Sequence, residues 1–195
     1  MVFGQDFYLY FSLGWEHIIS FDALDHQMFI LSLVIFQTWQ SWRKLLVLVT
    51  SFTVGHCLTL ALSSSGFFSV STYWVELLIP FTIFSTAFYQ WRRLQLFDFL
   101  ENEKILFYMA GFFGLIHGLG FAKTLHSILG KSQSIFIPLF GFNVGLEAGQ
   151  LAFLMLLLSL QVVLFRIQFV NRTLYNKFLI ALCLFGSGWM IADRL

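Results

Sequence analysis

The sequence predicts an all-α fold: a polytopic transmembrane helical bundle of about six spanning helices plus a short N-terminal re-entrant or interfacial helix. Three observations predict it. Of 195 residues, 58% are hydrophobic and only 11% charged, whereas about a quarter of the residues in an ordinary soluble domain are charged. Polar residues divide the chain into apolar pieces of about 20 residues, the length of one crossing. No piece alternates apolar and polar residues over the roughly 10-residue strands of a membrane barrel. With 26 Phe, 6 Trp and 2 Pro, the composition excludes a soluble globule, a disordered chain, collagen and a coiled coil. The net charge of +1, with Lys and Arg scattered singly or in pairs, gives no basis for a nucleic-acid partner. The expected surroundings are a lipid bilayer, and no linker divides residues 1–195, so a single integral membrane domain is expected.

The N-terminus has no basic region followed by a small-residue cleavage site, so a cleaved signal peptide is not expected. Phe7 to Ser20 is apolar but too short to cross, hence the re-entrant or interfacial reading. Asp22 to Trp39 forms the first expected span, and Asp22, Asp25 and His26 at i, i+3 and i+4 share one helix face. Leu45 to Ser65 is the second and carries His56, and Tyr73 to Trp91 is the third, with Glu76 near its start. Ile105 to Leu125 is the fourth, bearing His117 between Gly114 and Gly118. Ile135 to Phe165 is the fifth, long enough to tilt, and Asn143, Glu147 and Gln150 at i, i+4 and i+7 again share a face. In this span Gly141, Gly145 and Gly149 repeat every four residues, the small-residue spacing that lets transmembrane helices approach closely. Tyr175 to Ala192 is the last span. His126 reads as interfacial, and Asp98, Glu101 and Glu103 as a solvated loop.

Basic residues near span ends stay in the cytoplasm. Arg43, Lys44, Arg92, Arg93, Lys104, Arg166, Arg172 and Lys177 fall on one side of a six-span chain, and only Lys123, Lys131 and Arg194 on the other. Both termini are therefore expected to face outward, away from the cytoplasm. In that orientation Asp25, His26, His56, Glu76, His117, Asn143 and Glu147 all fall at the midplane or in the outer half. Intramembrane acids cost roughly 2.5–3.5 kcal/mol each even on the lenient insertion scale, so their convergence at one depth points to function rather than to chance.

Histidine and carboxylate without paired cysteines suit a borderline divalent transition metal: nickel, zinc, cobalt or copper. The expected ligands are His26, His56, His117, Glu147 and Asp25. Asp25 alternatively holds a histidine ring in one tautomer, and Glu76 supports another. His17 reads equally well as an interfacial side chain. The bland alternative for the whole set is a hydrogen-bonded network that fixes helix packing. Cys57 and Cys183 lie in apolar runs and suggest neither a disulfide nor a metal site.

The segments GWEHI (14–18), DHQMF (25–29), SFTVGHCLTLAL (51–62), WVELLI (74–79), GLIHGLGFA (114–122) and FNVGLEAGQ (142–150) together resemble the HupE/UreJ family of small bacterial membrane proteins. Ala23 and Leu24 stand where that family has a glycine and an aromatic residue before Asp-His. The resemblance implies nickel handling, as a permease or an accessory protein of hydrogenase and urease systems. It also implies that His17, Asp25, His26, His56, Glu76, His117, Asn143, Glu147 and Gln150 are the motif residues. Six spans are few for a complete transport path, which is compatible with a homo-oligomer. The alternative is an intramembrane metalloenzyme, a metal-dependent hydrolase whose retained zinc-like ion activates water, with Glu76 or Glu147 as base.

Overall fold

The computed structural model describes residues 3–67, 70–95, 103–128, 135–168 and 170–195. Asp98, Glu101, Lys131 and the His126, Glu103 and Lys123 side chains lie outside the described residues. Seven α-helices follow in order: α1 (Phe3–Ile19), α2 (Leu24–Val34), α3 (Trp42–Ser64), α4 (Thr72–Gln95), α5 (Glu103–Ile128), α6 (Phe136–Arg166) and α7 (Arg172–Arg194). There is no strand among the described residues. Four helical segments are long and apolar enough to cross a membrane: residues 39–64, 104–122, 136–166 and 172–194.

The other two expected spans differ for separable reasons. Helix α4 is 24 residues long but keeps polar side chains along its core-facing side: Thr82, Thr86 and Gln90 are all buried. Those residues dilute its average apolarity although they never meet lipid. The expected first span, Asp22 to Trp39, is not one helix. A 3₁₀ turn at Phe21–Ala23 precedes α2, and extended backbone at Thr38 follows it, leaving 11 helical residues, about 16 Å at 1.5 Å per residue. That is about half of a hydrocarbon core.

Close approaches fix the helix directions. Helix α1 runs parallel to α6: a Cβ on Gly141 would meet Phe7 and Tyr10, one on Gly145 would meet Phe11, and one on Gly149 would meet Trp15 and Ile18. Helix α3 likewise runs parallel to α5, with Gly111 against Ser51, Gly114 against Phe52 and Gly118 against His56 and Thr59. In both pairs glycines let the backbones come closer than any side chain would permit. Helix α4 is antiparallel to α5, because Thr82 meets His117 while Val75 and Ile79 lie at Gly120. It is antiparallel to α7 too, because the Arg194 guanidinium donates to the Glu76 carbonyl. That carbonyl needs an outside donor: Pro80, four residues on, has no N–H to offer it.

Helix α2 is antiparallel to α7, with Met28 at Gly186 and Ile35 at Leu179 and Ile180. It therefore continues in the direction of α1, and the two form one discontinuous course interrupted at residues 20–23. The Gln27 amide closes the interruption by donating to the Ile18 and Ser20 carbonyls at 3.0 Å each, groups that a helix end leaves without partners. Asp25 does the reciprocal service at the start of α2, accepting from the His26 backbone N–H at 2.7 Å. Asn171 caps α7 by accepting from the Leu174 N–H. With these directions, Arg43, Lys44, Arg92, Arg93, Lys104, Arg166, Arg172 and Lys177 all lie at the end of the bundle where α3, α5 and α7 begin. The two described chain ends, in α1 and α7, lie at the other.

Candidate metal centre

Four elements each deliver one imidazole to the same place. His17 stands in the last turn of α1, His26 in the first turn of α2, His56 past the middle of α3 and His117 at the corresponding level of α5. The break between α1 and α2 brings the first two together, with ring centroids 4.6 Å apart. The glycine-mediated approach of α3 to α5 brings in the second two: His26 lies 4.8 Å from His117 and 6.1 Å from His56, and His17 lies 6.0 Å from His56.

The ligand atoms of His17, His26 and His56 lie within 4.8 Å of one another. Some point is then within about 2.8 Å of all three, and nitrogen–metal bonds of about 2.0–2.1 Å need each ring to move inward by about 0.7 Å. His26 is 3%, His56 0% and His117 1% exposed. Phe29 and Phe52 pack on His117, Phe142 on His56 and Phe121 on His17, so the donors face one another inside an apolar sheath.

The ring nitrogens carry the argument. Nε2 of His17, Nε2 of His26, both nitrogens of His56 and Nδ1 of His117 are buried without a hydrogen-bond partner. An unsatisfied buried polar atom costs about 1–3 kcal/mol, so four on the three clustered histidines, with a fifth on His117 beside His26, call for a ligand. Two tautomers follow from the neighbours. His26 Nδ1 lies 2.9 Å from Asp25 Oδ1, so the proton sits on Nδ1 and the Nε2 lone pair is bare. Thr82 gives its one hydroxyl proton to the Ile79 carbonyl at 2.6 Å and so accepts from His117 Nε2 at 3.0 Å, leaving the Nδ1 lone pair of His117 bare. A carboxylate holding a histidine by its far nitrogen is the usual companion of a metal-ligating imidazole.

The remaining expected residues lie elsewhere. Glu147 accepts from the Thr50 hydroxyl at 2.7 Å and Gln150 from Thr53 at 2.8 Å, both in the seam between α3 and α6. Asn143 donates to the Leu139 carbonyl of its own helix and keeps a buried, unpartnered Oδ1. The Glu76 side chain is exposed. His17 joins the cluster rather than the surface, because the α1–α6 packing carries the end of α1 inward. Thr82 and Gln27 were not expected to matter: an isolated Thr or Gln in an apolar run has no signature until its partner in another helix is known.

A family model described as HupE / UreJ protein matches residues 2–193. The chain belongs to the HupE/UreJ family. Comparison with curated proteins and with solved structures returned no match. Membership in HupE/UreJ implies metal transport or an accessory role in metal handling, and the histidine cluster supplies a donor set of the right chemistry: neutral nitrogen, borderline in softness, with one carboxylate behind it.

Proposed function

We propose that this HupE/UreJ protein is a transition-metal permease, with nickel as its substrate, in the bacterial inner membrane. His17, His26, His56 and His117 bind the ion and Asp25 orients His26. The observation that carries the reading is the set of five buried imidazole nitrogens with no partner, four of them on the three histidines whose ligand atoms lie within 4.8 Å of one another and the fifth on His117 beside them. The eight basic residues at one end of the bundle support an orientation with that end in the cytoplasm and the termini outside. Glu147, Gln150, Asn143 and Glu76 serve as supporting polar groups along the route rather than in the histidine cluster.

A transport site must bind firmly enough to capture an ion yet release it. The oxygens beside the cluster suit release. Thr82, Thr86 and Gln90 succeed one another at i, i+4 and i+8 on the buried face of α4, running from His117 toward the cation-rich end. Gln90 donates to the Ser32 carbonyl at 3.0 Å and keeps a buried, unpartnered Oε1. Such oxygens hold a nickel-like ion more weakly than imidazole does.

The test combines elemental analysis of chelator-free protein with nickel flux into proteoliposomes. Wild type is expected to support flux, His26→Ala and His56→Ala to lose both binding and flux, and Gln90→Leu to bind but conduct slowly. One ion per chain that survives dialysis, with no flux, would overturn the permease in favour of a metal-dependent intramembrane hydrolase.

A further inference from the structure

Far from the histidines, at the cation-rich end, a cavity of about 880 Å³ opens between the end of α4 and the start of α7. Arg93, Arg172 and Lys177 line it, and among the described residues no carboxylate does. The Arg93 guanidinium rests on the Phe36 ring, 5.1 Å from its centroid, a cation–π contact that fixes its position at the wall. Asn176 lies at the back of the cavity, 5% exposed, with its Oδ1 buried and without a partner. Higher along α7 the lining turns apolar and reaches the flank of the bundle, where Phe185 is 80% exposed.

Each part of this cavity matches a part of one kind of molecule. Three cations around one space attract a phosphate, and charge-assisted bonds from guanidinium and ammonium to phosphate oxygens are about twice as strong as neutral ones. A buried amide oxygen needs a hydrogen-bond donor, which a bare phosphate at neutral pH supplies poorly and a headgroup hydroxyl supplies well. The apolar flank beside the cations suits an acyl chain that stays in the hydrocarbon. Basic pockets between helices at the cytoplasmic face bind anionic headgroups for these reasons, and the volume lies within the usual range for a small-molecule site.

We propose that the cavity between α4 and α7 is a binding site for an anionic phospholipid whose headgroup carries a hydroxyl. Its phosphate sits among Arg93, Arg172 and Lys177, and its hydroxyl donates to Asn176. This site is independent of the metal reading, because none of its residues belongs to the histidine cluster.

Phosphatidylglycerol is the probe, with phosphatidylcholine and inorganic phosphate as comparisons, read by native mass spectrometry and by the rise in Tm in detergent. Wild type is expected to retain one phosphatidylglycerol per chain in preference to phosphatidylcholine. The variant Arg172→Gln/Lys177→Gln is expected to lose that retention at least tenfold. Both residues are exposed, so the fold should survive the change. A second variant, Thr173→Glu, keeps all three cations and adds a carboxylate at the lining, and should lose the lipid as well. Arg92→Gln/Arg166→Gln removes as much charge from the same end without touching the cavity lining and should retain it. Retention that survives Arg172→Gln/Lys177→Gln, or that fails equally in Arg92→Gln/Arg166→Gln, would overturn the proposal. A Tm rise with inorganic phosphate alone equal to that with phosphatidylglycerol would also overturn it, in favour of a small-anion site.

Discussion

Gly118→Ala tests whether the α3–α5 approach sets the geometry of the metal site. A Cβ at residue 118 would stand 3.0 Å from the carbonyl carbon of His56 and still nearer its oxygen and Thr59 Oγ1. Carbon atoms rest at about 3.5–4.0 Å, so α3 and α5 must part by about 0.5–1 Å, and the residue displaced is His56 itself. A metal site tolerates about 0.2 Å in its bond lengths, so the displacement exceeds that tolerance at least twofold. Nickel affinity, measured by titration calorimetry on chelator-stripped protein, should fall about 10- to 100-fold, the range typical when the support of a ligand is disturbed. Overpacking should also lower stability by about 1–3 kcal/mol, read from a tryptophan-fluorescence melt. Two further glycines grade the effect. Gly111→Ala meets the Ser51 hydroxyl at 2.9 Å, a side-chain end that can rotate away, and the Ser51 carbonyl oxygen at an ordinary 3.7 Å, and Gly188→Ala meets nothing within 4 Å. Affinity should be near wild type in the first and unchanged in the second. Wild-type affinity in a folded Gly118→Ala protein would refute the link between this packing and the site.

Asp25→Asn should weaken metal binding about 10- to 100-fold while leaving the number of ions bound at saturation unchanged, as elemental analysis would show. His56→Leu should leave the Tm of metal-free protein unchanged or higher, because it removes two buried nitrogens that have no partner, and it should abolish the rise in Tm on adding nickel. Arg194→Ala should cost about 0.5–1.5 kcal/mol by uncovering the Glu76 carbonyl. The same change in a Pro80→Ala background should cost nothing measurable, because replacing the proline restores the helical N–H that this carbonyl lacks; denaturation of all four proteins gives the cycle.

Much of the bundle was legible because lipid imposes a coarse rule. Apolar length marks the helices, and Gly114, Gly118, Gly141, Gly145 and Gly149 mark the faces that pack. Their partners were not legible. Nothing in the sequence pairs the Gly141–Gly149 stripe with α1, since the match depends on Gly14, Phe11 and Ile18 standing at the right height in a different helix. The break at residues 20–23 was legible as a boundary, since the short segment ends at Ser20 and the first expected span begins at Asp22. What stayed hidden was the join, in which Gln27 seals α1 to α2 from the far side. Three of the four clustered histidines stood out, His56 and His117 as ionisable groups in the middle of apolar runs and His26 as a face-mate of Asp22 and Asp25 at the start of a span. His17 did not, because a histidine at the end of a short segment looks interfacial until that segment is carried inward. Helix α4 shows the converse: average apolarity cannot distinguish Thr86 and Gln90 facing a core from the same residues facing lipid.

The pairing of α1 with α6 also orders events during synthesis. Gly14 waits for Phe142 and Leu146, which emerge about 130 residues later, roughly 6–25 s at 5–20 residues per second. Over that interval α1 has no glycine stripe to dock on, and α2 is too short to hold a place across the bilayer alone. His26, His56 and His117 stand on helices that can pack once α5 joins α3, but His17 is held in place only when α6 closes over α1. The histidine cluster is therefore incomplete for most of translation, and a chain arrested before residue 140 should insert its middle helices without His17 in place.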